Sequence, residues 1–371
     1  MSLDIKKPLV FNKRSDAPSS AKVVDAYQGA LKELFFIDNP KFKKGAPEAE
    51  KKLKNFLKNQ KISDIWIYYA WKNLLVRSVP EELYFRLRTA RNRNIISEEE
   101  QKNYRKIKIG IAGLSVGSAV LSALVISGGP KTIKIADFDT VELTNLNRLR
   151  ASLADIGESK TLVAARQVWE LDPFAEIYPF PDGISKRNIA NFLLNEPRLD
   201  IFVDEMDSID LKILSRLICR EHKIPVLMAT DNGDGVILDV ERFDLESKRE
   251  IFHGLIGEIR AADVQDLDYR KWLELATKIV VPEYLTERMQ DSLLVIGKTI
   301  PAIPQLGTSA SLAGSVIAYA LRRLANGQAL PSGRYQIGLE EKLDPIYNQP
   351  KEIKKRKKNT QEFIKKFGQK K

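Results

Sequence analysis

Cysteine and histidine are almost absent. Cys219, His222 and His253 are the only residues of either type among 371. A lone cysteine excludes an intramolecular disulfide framework. Structural zinc takes about four Cys/His ligands, so no zinc is expected. Long apolar runs are also missing: none approaches the ~20 residues that a membrane-spanning helix needs. Met1 to Arg14 is polar and carries no signal-peptide core. These absences predict a soluble, cytoplasmic protein with no membrane span. No internal repeat is visible.

What is present is a core-forming composition, 43% hydrophobic, with a net charge of +11. The length exceeds what one single-core domain usually holds. The charge is unevenly placed: Lys351 to Lys371 carries ten Lys/Arg and two Glu, leaving only +3 on the rest. Such a tail reads as solvated and flexible, with a partner-binding arm for RNA, an acidic protein or anionic lipid as the alternative.

Four stretches follow from the pattern. Residues 1–85 form a mostly helical N-terminal extension. There Val23, Val24, Tyr27, Ala30, Leu31 and Leu34 recur at helical spacing, as do Leu53, Phe56 and Leu57. Ile62 to Leu75 fits a strand pair or a short helix equally well. Residues 86–245 alternate strands and helices. Strands are expected at Ile107–Ala112, Thr132–Ala136, Glu176–Pro179, Ile201–Val203 and Pro225–Ala229. Helices are expected at Ala119–Ser127, Glu158–Leu171 and Ile209–His222. That order implies an α/β fold, a doubly wound, mostly parallel Rossmann-like sheet. Residues 246–340 read as helical, with a small-residue helix at Ser309–Leu324, and 341–371 is the basic tail.

The chemistry starts at the turn after the first of these strands. Gly113-Leu114-Ser115-Val116-Gly117-Ser118 lies where a dinucleotide fold puts its phosphate loop. Small residues let the backbone approach phosphates, and the next helix offers its N-terminal amides. Asp137 follows Gly113 by 24 positions at the end of the next strand, close to the ~20 of a ribose-gripping acid. Ser115 and Ser118 replace two fingerprint glycines, so the loop alone is also consistent with a tight turn that binds nothing.

Beyond it, Asp137-Phe138-Asp139, Val141-Glu142 and Asn145-Leu146-Asn147-Arg148 follow in order. Gly157-Glu158-Ser159-Lys160 and Asp204-Glu205-Met206-Asp207 complete the set. Together, over roughly Arg88 to Phe243, this resembles the ThiF/MoeB/HesA family of ubiquitin-activating-like adenylating enzymes. The resemblance implies ATP and Mg²⁺ as cofactors. It places Gly113, Ser115, Gly117, Ser118, Asp137, Asp139, Asn145, Arg148 and Lys160 in the nucleotide pocket. Asp207 would be the metal-linked acid, and Arg93, Arg148, Lys160 and Asp207 would carry the catalysis. In the family an arginine ahead of the first strand crosses a homodimer interface. Arg91 and Arg93 both match, with Arg93 preferred, so a homodimer is expected.

The chemistry is consistent without the family. Bringing a carboxylate to the α-phosphate of ATP needs cations to neutralise like charges. Arg148 and Lys160 supply them, and Asp207 can hold Mg²⁺ through oxygen. Read singly, Arg148 and Lys160 could be solvated helix-face charges, and Asp204 could simply cap a helix. The family's Cys-x-x-Cys pairs are missing, and Cys219 on a helix reads as core rather than as a nucleophile. The expected activity is adenylation of a carboxylate, first of all the C-terminus of a ubiquitin-like or sulfur-carrier protein. A tRNA-modifying dehydratase of the same superfamily, an NAD-binding oxidoreductase and a non-catalytic nucleotide-binding scaffold are the alternatives.

Overall fold

The computed structural model describes residues 6–264 and 267–368. They group into two units. The first holds the residues up to Lys102 together with Arg166–Ala175. Its elements are β1 (Leu9–Phe11), β2 (Lys22–Asp25), α1 (Tyr27–Asp38), α2 (Pro47–Asn59), β3 (Ile65–Tyr69), β4 (Leu74–Ser78) and α3 (Glu81–Arg88). The strands form one sheet in the order β1-β3-β4-β2. Ile62 to Leu75 thus resolves as strands. Ile65, Ile67 and Tyr69 alternate inward along β3 and pack on Phe174, the period-2 pattern of a half-buried strand. Val23 and Val24, expected on a helix, lie in β2 with both side chains exposed. Their β-branched side chains favour the strand, and the Asp25 carboxylate accepts from the Tyr27 amide at 3.0 Å where α1 begins.

α4 (Glu98–Lys106) leads into the second unit, made of Asn103–Ala165 and the residues from Glu176 on. There follow β5 (Lys108–Ala112), α5 (Val116–Ile126), β6 (Thr132–Ala136), α6 (Lys160–Leu171), β7 (Glu176–Phe180), α7 (Ile189–Leu194), β8 (Ile201–Asp204), α8 (Ile209–Glu221), β9 (Val226–Asn232) and β10 (Gly235–Glu241). α9 (Tyr269–Val280), α10 (Glu287–Val295), α11 (Gly307–Ala325), β11 (Gly333–Ile337), α12 (Leu339–Leu343) and α13 (Pro350–Gly368) complete the chain. The sheet has seven strands in the order β11-β10-β9-β8-β5-β6-β7. β7, β6, β5, β8 and β9 are parallel, and β10 and β11 add antiparallel pairs. The chain runs outward from β5 through β6 to β7, then returns to β8 on the other side of β5. That reversal opens a crevice at the carboxyl ends of β5 and β8, where doubly wound sheets take ligands.

α11 is the small-residue helix expected from the sequence. It lies on α5 so closely that a Cβ on Gly314 would sit 2.6 Å from the Ala119 carbonyl oxygen. The basic tail departs from expectation. Residues 350–368 are a helix rather than a loose arm, because Phe363 is buried and Gln290 of α10 donates to the Thr360 hydroxyl at 3.0 Å. Among the described residues no helix is long and apolar enough to cross a membrane.

Candidate active site at the carboxyl edge of the sheet

The turn from β5 into α5 is built to come close to its neighbours. Gly113 takes φ +89°, and a Cβ there would collide with the Glu205 carbonyl, so only glycine fits. Asp137, at the end of β6, braces this turn. One of its oxygens accepts from the Leu114 amide at 2.6 Å and the other from the Asp139 amide at 2.8 Å. Burial pushes the Asp137 carboxyl above the usual range, against the opposing pull of those amides and of Lys160. Lys160, at the start of α6, puts its ammonium 2.7 Å from Asp139 and 3.9 Å from Asp137. Arg148 donates from Nε to the Ser115 hydroxyl at 2.9 Å and from its terminal nitrogen to Asn147 at 2.9 Å. The Ser118 hydroxyl donates to the Ser115 carbonyl at 2.9 Å. A Cβ on Gly117 would sit 3.0 Å from Ile111 and 3.7 Å from the Glu205 side chain.

These bonds bring Gly113, Ser115, Gly117, Ser118, Asp137, Asp139, Arg148 and Lys160 together at one edge. Asn145 is buried, and its side-chain oxygen accepts from the Glu142 amide at 3.2 Å, capping the short turn Leu143–Asn145. Asp207 is exposed, three residues past β8 on the segment whose Glu205 carbonyl meets Gly113. Among the described residues no three His, Cys, Asp or Glu side chains gather as a metal cage. A single carboxylate at such an edge fits Mg²⁺ all the same, since that ion takes one or two carboxylates and completes its shell with phosphates and water. Arg93 and Arg91 are exposed in the first unit, on the segment after α3.

Asp204 belongs to a different arrangement. It is fully buried and pairs with Arg216 and with Lys212 at 3.2 Å. Burial alone would raise it, but Lys212 and Arg216 hold it below the usual carboxylate range. Cys219 is fully buried on α8, and burial pushes its thiol far up.

Two carboxyl groups at this edge escaped sequence reasoning. Glu205 accepts from the Ala229 amide at 3.0 Å, and burial drives it well above the carboxylate range. Asp231, near the end of β9, accepts from the Ser309 hydroxyl of α11 at 2.8 Å. Its other oxygen is buried without a partner. Burial raises Asp231, opposed by Ser309 and by the nearby charge of Arg148. Asn147 ties the same region together, donating to the Gln305 carbonyl at 2.8 Å just before α11. The only signal in the sequence was a carboxylate at the end of an apolar strand.

The fold and this edge define a Rossmann-like α/β protein whose candidate residues cluster where doubly wound sheets take ligands. The sequence profile of the ThiF family matches residues 89–362. The chain belongs to the ThiF family. It is 34% identical over 285 residues to an uncharacterized protein of Mycobacterium tuberculosis, covering 77% of this chain and 39% of that protein. It is 29% identical over 238 residues to tRNA threonylcarbamoyladenosine dehydratase 2 of Saccharomyces cerevisiae, covering 59% of this chain and 51% of that one. Shorter matches name two further such dehydratases and a sulfur carrier protein adenylyltransferase of Thermus thermophilus. The chain thus spans about two-fifths to one-half of its first two relatives. The crystal structure of the E. coli tRNA N6-threonylcarbamoyladenosine dehydratase is similar with a TM-score of 0.46 and 19% identity, covering 65% of this chain and 95% of that one.

Proposed function

We propose that this protein is an ATP-dependent adenylyltransferase that activates a carboxylate as an acyl-adenylate. The observation that carries the reading is the convergence of the Gly113–Ser118 turn, Asp137, Arg148 and Lys160 through direct bonds at one sheet edge. In the reaction a substrate carboxylate oxygen attacks the α-phosphorus, the bond to the bridging oxygen breaks, and pyrophosphate leaves. The α5 amides and the Ser115 region cradle phosphate oxygens. Asp137 keeps lone pairs for the ribose hydroxyls while its amide bonds hold the turn. Arg148 and Lys160 neutralise charge on the phosphoryl oxygens. Lys160 is held by Asp139 at 2.7 Å, so ATP competes for a cation already in place. Asn145 can offer its amide nitrogen, which takes no part in the bond capping its turn. Asp207, together with the phosphates, would hold Mg²⁺, which would supply further charge neutralisation. Arg93 stands as the residue reaching a partner subunit's site in a homodimer.

For the substrate, a carboxylate borne on tRNA is better supported than the C-terminus of a ubiquitin-like or sulfur-carrier protein, which the sequence put first. Three named relatives are tRNA threonylcarbamoyladenosine dehydratases. The protein-substrate reading keeps three supporting matches, the sulfur carrier protein adenylyltransferase over 118 residues and two ubiquitin-like modifier-activating enzymes over 151 and 152 residues, all shorter than the 238-residue match to the yeast dehydratase. The test is ATP–pyrophosphate exchange with tRNA purified from cells and with a sulfur-carrier protein ending in Gly-Gly. Exchange that depends on tRNA is expected. Exchange with the carrier protein alone would reverse the choice of substrate, and none with any carboxylate would remove the adenylation reading.

A further inference from the structure

α13 has two faces of opposite character. Arg356, Thr360, Phe363 and Phe367 recur at helical spacing and are buried or half-buried. This face meets the body where Thr360 accepts from Gln290 and Asn359 pairs with Glu287, and within the helix Phe363 and Phe367 are tilted against each other with centroids 5.2 Å apart. Arg356 lies over the Tyr347 ring at 3.8 Å. The other face carries Lys351, Lys354, Lys355, Lys357, Lys358, Lys365 and Lys366, all exposed. At 1.5 Å per residue they line a ridge about 22 Å long. Its two acids, Glu352 and Glu362, approach Lys355 and Lys358 only at 3.9 and 3.8 Å, pairings worth little in water. Like charges three and four residues apart destabilise a helix, so this face works against the helix that bears it.

We propose that this lysine ridge docks the phosphate backbone of RNA. The choice of RNA rests on the tRNA-borne substrate proposed above; the ridge itself stands on the geometry. Its chemistry is that of point charges rather than of a bidentate fork, which suits phosphates read without regard to sequence. A membrane-surface helix needs its apolar face free to enter the lipid. Here Phe363 is buried against the body, and only Ile364 stands exposed among the lysines.

The experiment measures binding of purified tRNA to the full chain across a salt series. One variant carries Lys354, Lys355, Lys357 and Lys358 changed to Gln. Another carries Lys51, Lys52, Lys54 and Lys58 of α2 changed to Gln, removing equal charge from exposed lysines elsewhere. The wild type is expected to bind with a steep salt dependence. The α13 variant should bind at least tenfold more weakly in 0.1 M salt, with a log–log slope shallower by about 3. The α2 variant should change less than threefold. The ridge is overturned if wild type does not bind tRNA, if both variants lose equally, or if phosphatidylserine vesicles are bound and tRNA is not. ATP binding is read in parallel. ATP bound without tRNA overturns the ridge and leaves the nucleotide reading standing. Ridge-dependent tRNA binding without ATP binding supports the ridge and overturns the nucleotide reading.

Discussion

Two clusters of charge lie in the same unit, built from the same residue types, and they do opposite things. At the carboxyl edge, Asp137, Asp139, Lys160 and Arg148 sit around a turn with φ +89°. Asp139 is half exposed, and Asp137 is raised by burial. Beneath the sheet, Arg216 is fully buried between Asp204 and Glu241, with its guanidinium 3.9 Å from the Phe252 ring centroid. There Glu241 also accepts from the Phe252 amide at 2.7 Å. Asp239 accepts from His253 and Arg334 in the same way. The inner cluster is closed: its carboxylates meet cations and amides inside the protein. The edge cluster keeps an unpartnered oxygen on Asp231 and an exposed Asp207. Charge density does not separate a site from a brace; unmet carboxylate bonding capacity at the sheet edge does.

Breaking the inner cluster should cost the most. Arg216→Ala leaves Glu241 buried without its cation and Asp204 with Lys212 alone, and breaking a buried pair in this way typically costs about 3–5 kcal/mol. A melting temperature lower by about 10 °C is expected, read by calorimetry, or failure to accumulate folded protein. A loss under 1 kcal/mol would mean that the cluster is not the brace described.

Breaking the edge should invert that pattern. Lys160→Ala should cost about 100-fold or more in ATP–pyrophosphate exchange, with a change in melting temperature of a few degrees at most. A stability loss matching that of Arg216→Ala would erase the distinction between the clusters.

Asp231→Asn sharpens the comparison, since it removes charge from the edge without removing shape. The raised pKa means that the folded state is penalised when this group ionises, with the penalty fully present above the folded pKa. The variant should therefore be more stable than wild type at pH 8. The gap should close as pH falls through the folded pKa towards the unfolded value. Urea unfolding at pH 8 and pH 4 measures it; a gain that grows on acidification would contradict the assignment.

The smallest effect belongs to Cys219→Ala. It removes a buried thiol and should lower stability by about 1 kcal/mol, while exchange stays within a few-fold of wild type. A large loss of exchange by a folded variant would place the thiol in the chemistry.

Much of the sheet was legible because its strands are apolar runs ended by Gly or Asp, as in Ile109–Gly113 and Ile201–Asp204. Boundaries differ by one to three residues, as where β9 extends to Asn232 beyond the expected Ala229. β10 was not read at all. Asp239 and Glu241 look like surface residues in a seven-residue strand that is wholly buried, and their partners Arg334, His253 and Arg216 lie far away in sequence. Long-range charge pairing leaves no periodic trace. The same holds for α13, whose apolar positions are hidden among lysines until α10 supplies the matching surface. At the edge, local motifs carried Asp137, Arg148 and Lys160. Asp231 and Ser309 meet only because α11 folds back onto β9.

The central claim is that the open edge binds ATP. Isothermal calorimetry with Mg·ATP and with NAD, on wild type and Lys160→Ala, tests it most directly. Wild type should bind ATP, and NAD should neither bind comparably nor displace it. Lys160→Ala should weaken ATP binding while keeping its fold. Tighter binding of NAD than of ATP, or ATP affinity untouched in Lys160→Ala, would contradict the account.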